Sequence, residues 1–135
     1  MSAFVVDASV LVSWLLPDES DIRSDALFAD PENRWLAPSH LPAEVGNVLL
    51  QSVRRGRLKA EEMPNLAGVL IRLDIQLEDF GFGPNWSNAT DLAIQHTLTL
   101  YDALYLEMAQ RLNLPLVTFD KALIRAAEAA GVEVV

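Results

Sequence analysis

The sequence predicts an α/β layer fold, a central and mainly parallel sheet flanked by helices. Two observations carry the prediction. Short β-branched and apolar runs alternate with longer segments of helical periodicity along the chain. A length of 135 residues, 51% hydrophobic and 21% charged, suits one domain over residues 1–135 with a single core.

The elements follow in order. "AFVVDAS" is a buried strand ending in polar residues, and "ASVLVSWLL" a first helix closed by Pro17. "DESDIRSDALFAD" reads as a second helix whose acidic first turn complements the positive end of its dipole. "RWLAP" is a short strand. In "SHLPAEVGNVLLQSVRRGR", Leu41, Val45, Val48, Leu49 and Val53 recur at three- and four-residue spacing and form one apolar helical face. Ser39 is the expected N-cap there, and Gly56 the expected stop after Arg54 and Arg55. "KAEEMPNLAGVLIRL" is a further helix with Pro64 near its start, where proline is tolerated. "DIQLEDFG" reads as a short strand on weaker signals, and "SNATDLAIQHTL" and "YDALYLEMAQRL" as successive helices. "LPLVTF" is a strand, "DKALIRAAEAAG" a helix ending at Gly131, and "VEVV" a final strand. No internal repeat or long linker divides the chain.

Composition narrows the function classes. The absence of cysteine removes disulfides, thiolate zinc sites and cysteine nucleophiles, and fits a reducing cytoplasm, the expected location. The apolar run Phe4 to Leu16 contains Asp7, lacks a basic leader and is too short to span a bilayer, so no membrane association is expected. A net charge of −9 argues against holding nucleic acid by broad electrostatics. It leaves room for a nucleic-acid enzyme whose positive charge comes from metal ions, and it suits a basic protein partner.

In open parallel sheets, ligands bind beyond the carboxyl ends of the strands. Asp7 and Ser9 end the first strand, Thr118 and Asp120 the "LPLV" strand. Asp102 opens a helix, and Glu44 lies early in another with Asn47 one turn on. Taken singly, each acid has an ordinary explanation. Asp7 and Asp120 (or Thr118) are helix caps, Thr99 and Asp102 form a capping box of about 1 kcal/mol, and Glu44 is an exposed helix residue. Taken together they resist it. Capping needs only an oxygen, Glu44 lies past its helix start, and "VVDASV", "LYDALYL" and "LVTFDKAL" are apolar frames in which an unpaired carboxylate is costly.

Converging carboxylates repel by about 4 kcal/mol at ~4 Å and an effective dielectric near 20. A proton, a basic side chain or a cation must relieve this, and Lys121 alone cannot neutralise four acids. An all-oxygen donor set points to Mg²⁺ or Mn²⁺ and away from Zn²⁺. His40 and His96 lack metal-ligand spacing, and read as a helix-start and a helix-face residue.

These residues carry a resemblance. "VVDASVLVSWLL", "LAPSHLPAEVGNVLL", "LTLYDALYLEMA" and "LPLVTFDKAL" resemble, in order and spacing, the signatures of PIN-domain proteins, specifically the VapC-type toxins of toxin–antitoxin pairs. The resemblance implies a PIN-like three-layer fold and a metal-dependent endoribonuclease that hydrolyses RNA phosphodiester bonds by activated water. It carries Asp7, Glu44, Asp102 and Asp120 as catalytic and metal-holding acids, with Ser9, Thr118 and Asn47 in support. It also implies a homodimer and a cognate antitoxin. Residues 58–87 match nothing specific in the family pattern.

The "RRGRLK" stretch groups Arg54, Arg55, Arg57 and Lys59. It serves either as an RNA-phosphate contact or as cations complementing a helix C-terminus. Trp14, Trp35 and Trp86 read as core or interface residues before base-stacking surfaces. The alternatives to a nuclease are a phosphoacceptor signalling module and a non-catalytic PIN scaffold that binds a protein partner. A receiver-type phosphoacceptor wants paired acids after the first strand, where "VVDAS" supplies one. A haloacid-dehalogenase-type phosphatase wants DxDx[TV], which is missing. The intact acid set weighs against a mere scaffold.

Overall fold

The computed structural model describes residues 2–16, 18 and 21–135. Pro17, the expected helix stop, lies outside them. Among the described residues, no helix is long and apolar enough to cross a membrane.

Strands β1 (Ala3–Val6), β2 (Arg34–Pro38), β3 (Gln76–Glu78) and β4 (Leu116–Val117) form one parallel sheet in the order β3-β2-β1-β4. Val5 pairs with both Leu36 and Leu116, so β1 is central, and its "FVV" run is buried throughout, as a strand covered on both faces requires. The expected strand "VEVV" is reduced to a parallel bridge of Val134 onto Leu116, backed by Leu116 N donating to Glu133 O at 2.8 Å and Val135 N to Leu116 O at 3.0 Å. From β1 the chain steps outward through β2 to β3, then returns to place β4 on the other side of β1. The loops leaving β1 and β4 therefore diverge at a topological switch point, where a crevice opens at the strand ends.

The helices are α1 (Ala8–Leu15), α2 (Ile22–Ala29), α3 (Leu41–Arg54), α4 (Met63–Leu73) after a single 3₁₀ turn, α5 (Pro84–His96), α6 (Leu100–Leu112) and α7 (Lys121–Ala129). Helix α6 packs against β1, β2 and β4, with α5 and α7 against it, while α1 packs on α2 and α3. Trp35 and Phe28 pack as tilted rings 4.5 Å apart between centres, with Phe4 and Trp14 extending the group, which ties β1, β2, α1 and α2. Trp14 and Trp35 are thus packing residues, as read from sequence. Trp86 instead meets the exposed Phe82 edge-on at the surface.

Several local expectations change. Helix α5 begins at Pro84, three residues before the expected Ser87, because proline suits the first turn, whose amides are unpaired in any case. Ser39 is not the cap of α3: its amide donates to Glu78 O at 2.9 Å and extends the β2–β3 ladder, so the cap position passes to His40. Val48 leaves the apolar face and is 38% exposed, whereas Leu41, Val45 and Leu49 are buried. Gly56 ends α3 as expected, with φ of 75° that costs glycine nothing.

One buried charge went unread in the sequence. Glu107 on α6 is 4% exposed and accepts two hydrogen bonds from Arg111 Nε, at 3.1 and 3.0 Å. The Arg111 guanidinium also pairs with Glu78 at the end of β3, which anchors the outermost strand to α6. Removing the arginine strands a buried carboxylate. Arg111→Met should therefore cost about 3 kcal/mol in urea unfolding, and Glu107→Met/Arg111→Met should recover most of that loss.

Candidate active site

The β1 strand ends in Asp7, which becomes the N-cap of α1 and accepts from Val10 N at 3.4 Å. The carboxylate is 4% exposed. Ser9 Oγ donates to Asp7 Oδ1 at 2.7 Å, and Thr118 Oγ1 donates to Oδ2. The same hydroxyls accept from the β4–α7 loop, Ser9 from Phe119 N and Thr118 from Asp120 N, both at 3.0 Å. Asp120 caps α7, accepting from Leu123 N at 2.9 Å. Capping is thus real at Asp7 and Asp120, and it also fixes where each carboxylate sits.

On α6, Thr99 Oγ1 accepts from Asp102 N at 3.2 Å. Among the described residues no bond from the Thr99 amide to the Asp102 carboxylate completes the capping box; the carboxylate bonds the Thr99 side chain and lines the cavity. Glu44, in the first turn of α3, is held at Oε1 by Tyr105 Oη at 2.8 Å and by His40 Nε2 at 2.9 Å. His40 Nε2 also lies 3.1 Å from Tyr101 O. Both neighbours are acceptors, which assigns the ring proton to Nε2, while Nδ1 is buried without a partner among the described residues.

Asp7, Glu44, Asp102 and Asp120, with Ser9 and Tyr105, line one cavity of about 370 Å³ at the switch point. Among the described residues no lysine or arginine lines it, Lys121 included. Thr118 stands behind the wall as a bridge between Asp7 and the Asp120 amide. Asn47 does not reach this cavity and lines its neighbour instead. On a helix of 3.6 residues per turn, the position four on from Glu44 stays nearest its face, and that position is Val48. Arg54, Arg55, Arg57 and Lys59 lie at and beyond the far end of α3, ~15 Å of helix rise from Glu44, and Arg57 pairs with Asp18 at 3.1 Å.

The electrostatics follow from burial and crowding. Burial pushes the Asp7 carboxyl up to about 6, the Asp102 charge adds to the rise, and bonds from Thr118, Ser9 and Val10 oppose it. Asp102 is also pushed up to about 6, by desolvation first and then by the Asp120 and Glu44 charges. Burial acts on Glu44 in the same sense, but bonds from His40 and Tyr105 outweigh it and hold Glu44 below its usual value. Burial and the neighbouring Glu44 push the Tyr105 hydroxyl well above its usual range, so it stays a donor.

The donor set suits a hard cation that keeps much of its water. The oxygens are all carboxylate or hydroxyl, the acids repel one another, and among the described residues only His40, at the edge of Glu44, stands against them. Among the described residues no three acids or histidines close around a single point. That arrangement fits an ion bound through one or two carboxylates plus water and substrate phosphate better than a closed protein cage.

Neither His40 nor Tyr105 was assigned to the site from sequence. Both could have been found by helical spacing, since His40 precedes Glu44 by four residues and Tyr105 follows Asp102 by three.

A carboxyl raised above its unfolded value near 3.8 favours folding below that pH, and the contribution is lost as pH rises through about 6. Asp7→Asn removes this titration. In metal-free buffer, the melting temperature of Asp7→Asn minus that of the native protein should grow more positive between about pH 4 and about pH 7.

Comparison with known proteins places the chain. It is 30% identical over 120 residues to ribonuclease VapC3 of Pyrobaculum aerophilum, an alignment covering 88% of this chain and 90% of that one. The crystal structure of PAE2754 from the same organism superposes with a TM-score of 0.70 at 27% identity, covering 93% of this chain and 79% of that one. VapBC2 of Rickettsia felis, solved bound to a DNA fragment from its promoter, shares the fold with a TM-score of 0.65 at 17% identity, covering 98% and 97% of the two chains. The PIN domain family pattern matches residues 4–129, nearly the whole length, and on that match the chain belongs to the PIN domain family.

Proposed function

We propose that this PIN domain is a metal-dependent endoribonuclease, the toxin of a type II toxin–antitoxin pair acting in the cytoplasm. The observation that carries the reading is the convergence of Asp7, Glu44, Asp102 and Asp120 on one cavity that no lysine or arginine lines. The likeness to a protein named a ribonuclease supports RNA as the substrate class.

In this reading the four acids would hold one or two Mg²⁺ or Mn²⁺ ions. A bound ion supplies a lowered pKa for attacking water and offsets charge on the phosphoryl and leaving oxygens. The chain supplies orientation. Ser9 and Thr118 fix Asp7 from both oxygens, and Tyr105 and His40 fix one oxygen of Glu44 and leave the other to the cavity. Asp102, raised by burial and then by its acidic neighbours, shares any proton with the cluster, so no single carboxylate is the base. A cognate antitoxin would place a basic residue among these acids, and a homodimer is the expected assembly. The cations at Arg54, Arg55, Arg57 and Lys59 would reach RNA only along a path leading away from the acids.

The test is cleavage of structured RNA in Mg²⁺, in Mn²⁺ and in EDTA. Cutting should require the metal and should fall about a hundred-fold or more in Asp102→Asn. Because Thr99 caps the Asp102 backbone amide, that variant should keep a near-native melting curve. Cleavage that survives both EDTA and the substitution would refute the mechanism. Tyr105→Phe deletes the hydroxyl on Glu44, and calorimetric Mn²⁺ affinity should fall roughly ten- to a hundred-fold.

A further inference from the structure

A second cavity of about 380 Å³ adjoins the acidic one, lined by His40, Ala43, Glu44, Asn47, Val48 and Tyr101. The two share Glu44 and Val48 as a common wall. Tyr101 sits beside Asp102 in the first turn of α6, yet 61% of it is exposed. Its position is fixed all the same. Its carbonyl accepts from His40 Nε2, and its ring lies 5.8 Å from the imidazole, which packs in turn on Tyr105 at 4.8 Å and Phe80 at 5.9 Å. An exposed aromatic face therefore stands at the rim of the acid site. Across from it on α3, the Asn47 side chain is exposed and makes no hydrogen bond to another described residue. It offers a donor and an acceptor together.

Any phosphodiester brought to the acids carries a nucleoside on each side. A chain with net charge −9 cannot hold that nucleoside by general attraction to phosphate. Stacking on an aromatic face is uncharged and needs no such field. We propose that this second cavity is a nucleobase subsite: Tyr101 stacks on one base flanking the scissile phosphate, and Asn47 hydrogen-bonds the edge of that base. The inference rests on the endoribonuclease reading for the identity of the ligand. His40 serves both places at once, since it orients Glu44 and braces Tyr101 through its backbone.

That backbone contact makes the subsite separable from the acids. Tyr101→Leu deletes the ring but keeps the carbonyl that His40 engages. The probe is a set of short single-stranded RNAs with 2-aminopurine at successive positions, titrated in EDTA so that nothing is cut. Native protein and Tyr101→Phe should quench the fluorescence, and Tyr101→Leu should bind about ten-fold more weakly or worse without quenching. Phe82→Ala, which removes an exposed aromatic outside both cavities, should behave as native. With Mg²⁺ present, Tyr101→Leu should raise KM far more than it lowers kcat, and Asn47→Ala should flatten the base preference at one position beside the mapped cuts. Equal quenching by native protein and Tyr101→Leu, or no quenching at any position, would overturn the subsite and leave the nuclease reading intact. Quenching without metal-dependent cleavage would overturn the nuclease reading and leave the base site standing.

Discussion

The hydrogen bonds that meet at the Asp7 carboxylate hold the functional end of this molecule together. A carboxylate so deeply buried is costly unless each oxygen finds donors. Here the donors come from α1 and from the β4–α7 loop, segments more than a hundred residues apart in the chain. Satisfying one charge thus clamps two loops that the sheet topology sends in opposite directions. Asp120 inherits its place from that clamp, because its own amide donates to the threonine that binds Asp7.

The second half of the site is built differently. Glu44 and Asp102 come from helix starts that no strand pairing brings together. They are joined by a short chain of contacts in which His40 touches Glu44 and the Tyr101 carbonyl while Tyr105 reaches from α6 to Glu44. All four acids lie at an N-cap or in a first helical turn: Asp7 and Asp120 are caps, and Asp102 and Glu44 are in first turns. Helix N-termini carry partial positive charge. The backbone therefore joins His40 in softening the mutual repulsion of the acids, with no lysine or arginine among the described residues that line the cavity.

The strand ends and the four acids were readable because each follows from local pattern: a β-branched run stopping at a carboxylate, or an acid breaking an apolar helix. The α/β class followed from alternation alone. What escaped depended on partners distant in sequence. Ser39 has the chemistry of a cap, but the Glu78 carbonyl claims its amide. Val48 fits the apolar stripe of α3, but the stripe is wider than the surface it covers, so this valine falls to the cavity wall. Asn47 lies one turn from Glu44 yet faces the neighbouring cavity, a difference of angle that residue spacing only approximates. Glu107 has its partner Arg111 only four residues on, but neither the burial of that carboxylate nor the link from Arg111 to Glu78 follows from the spacing. The "VEVV" segment has strand composition, but it gains a single bridge at the margin of the sheet.

The margins of the sheet have a consequence for handling the protein. At one side β3 is only three residues long and ends in an acid clamped by Arg111. At the other, the C-terminal segment lies over β4 at Leu116. Short, charged or covered edges give another chain little backbone to pair with. Concentrated solutions of this protein should accordingly resist growth of strand-to-strand aggregates, and association between copies is left to side-chain surfaces.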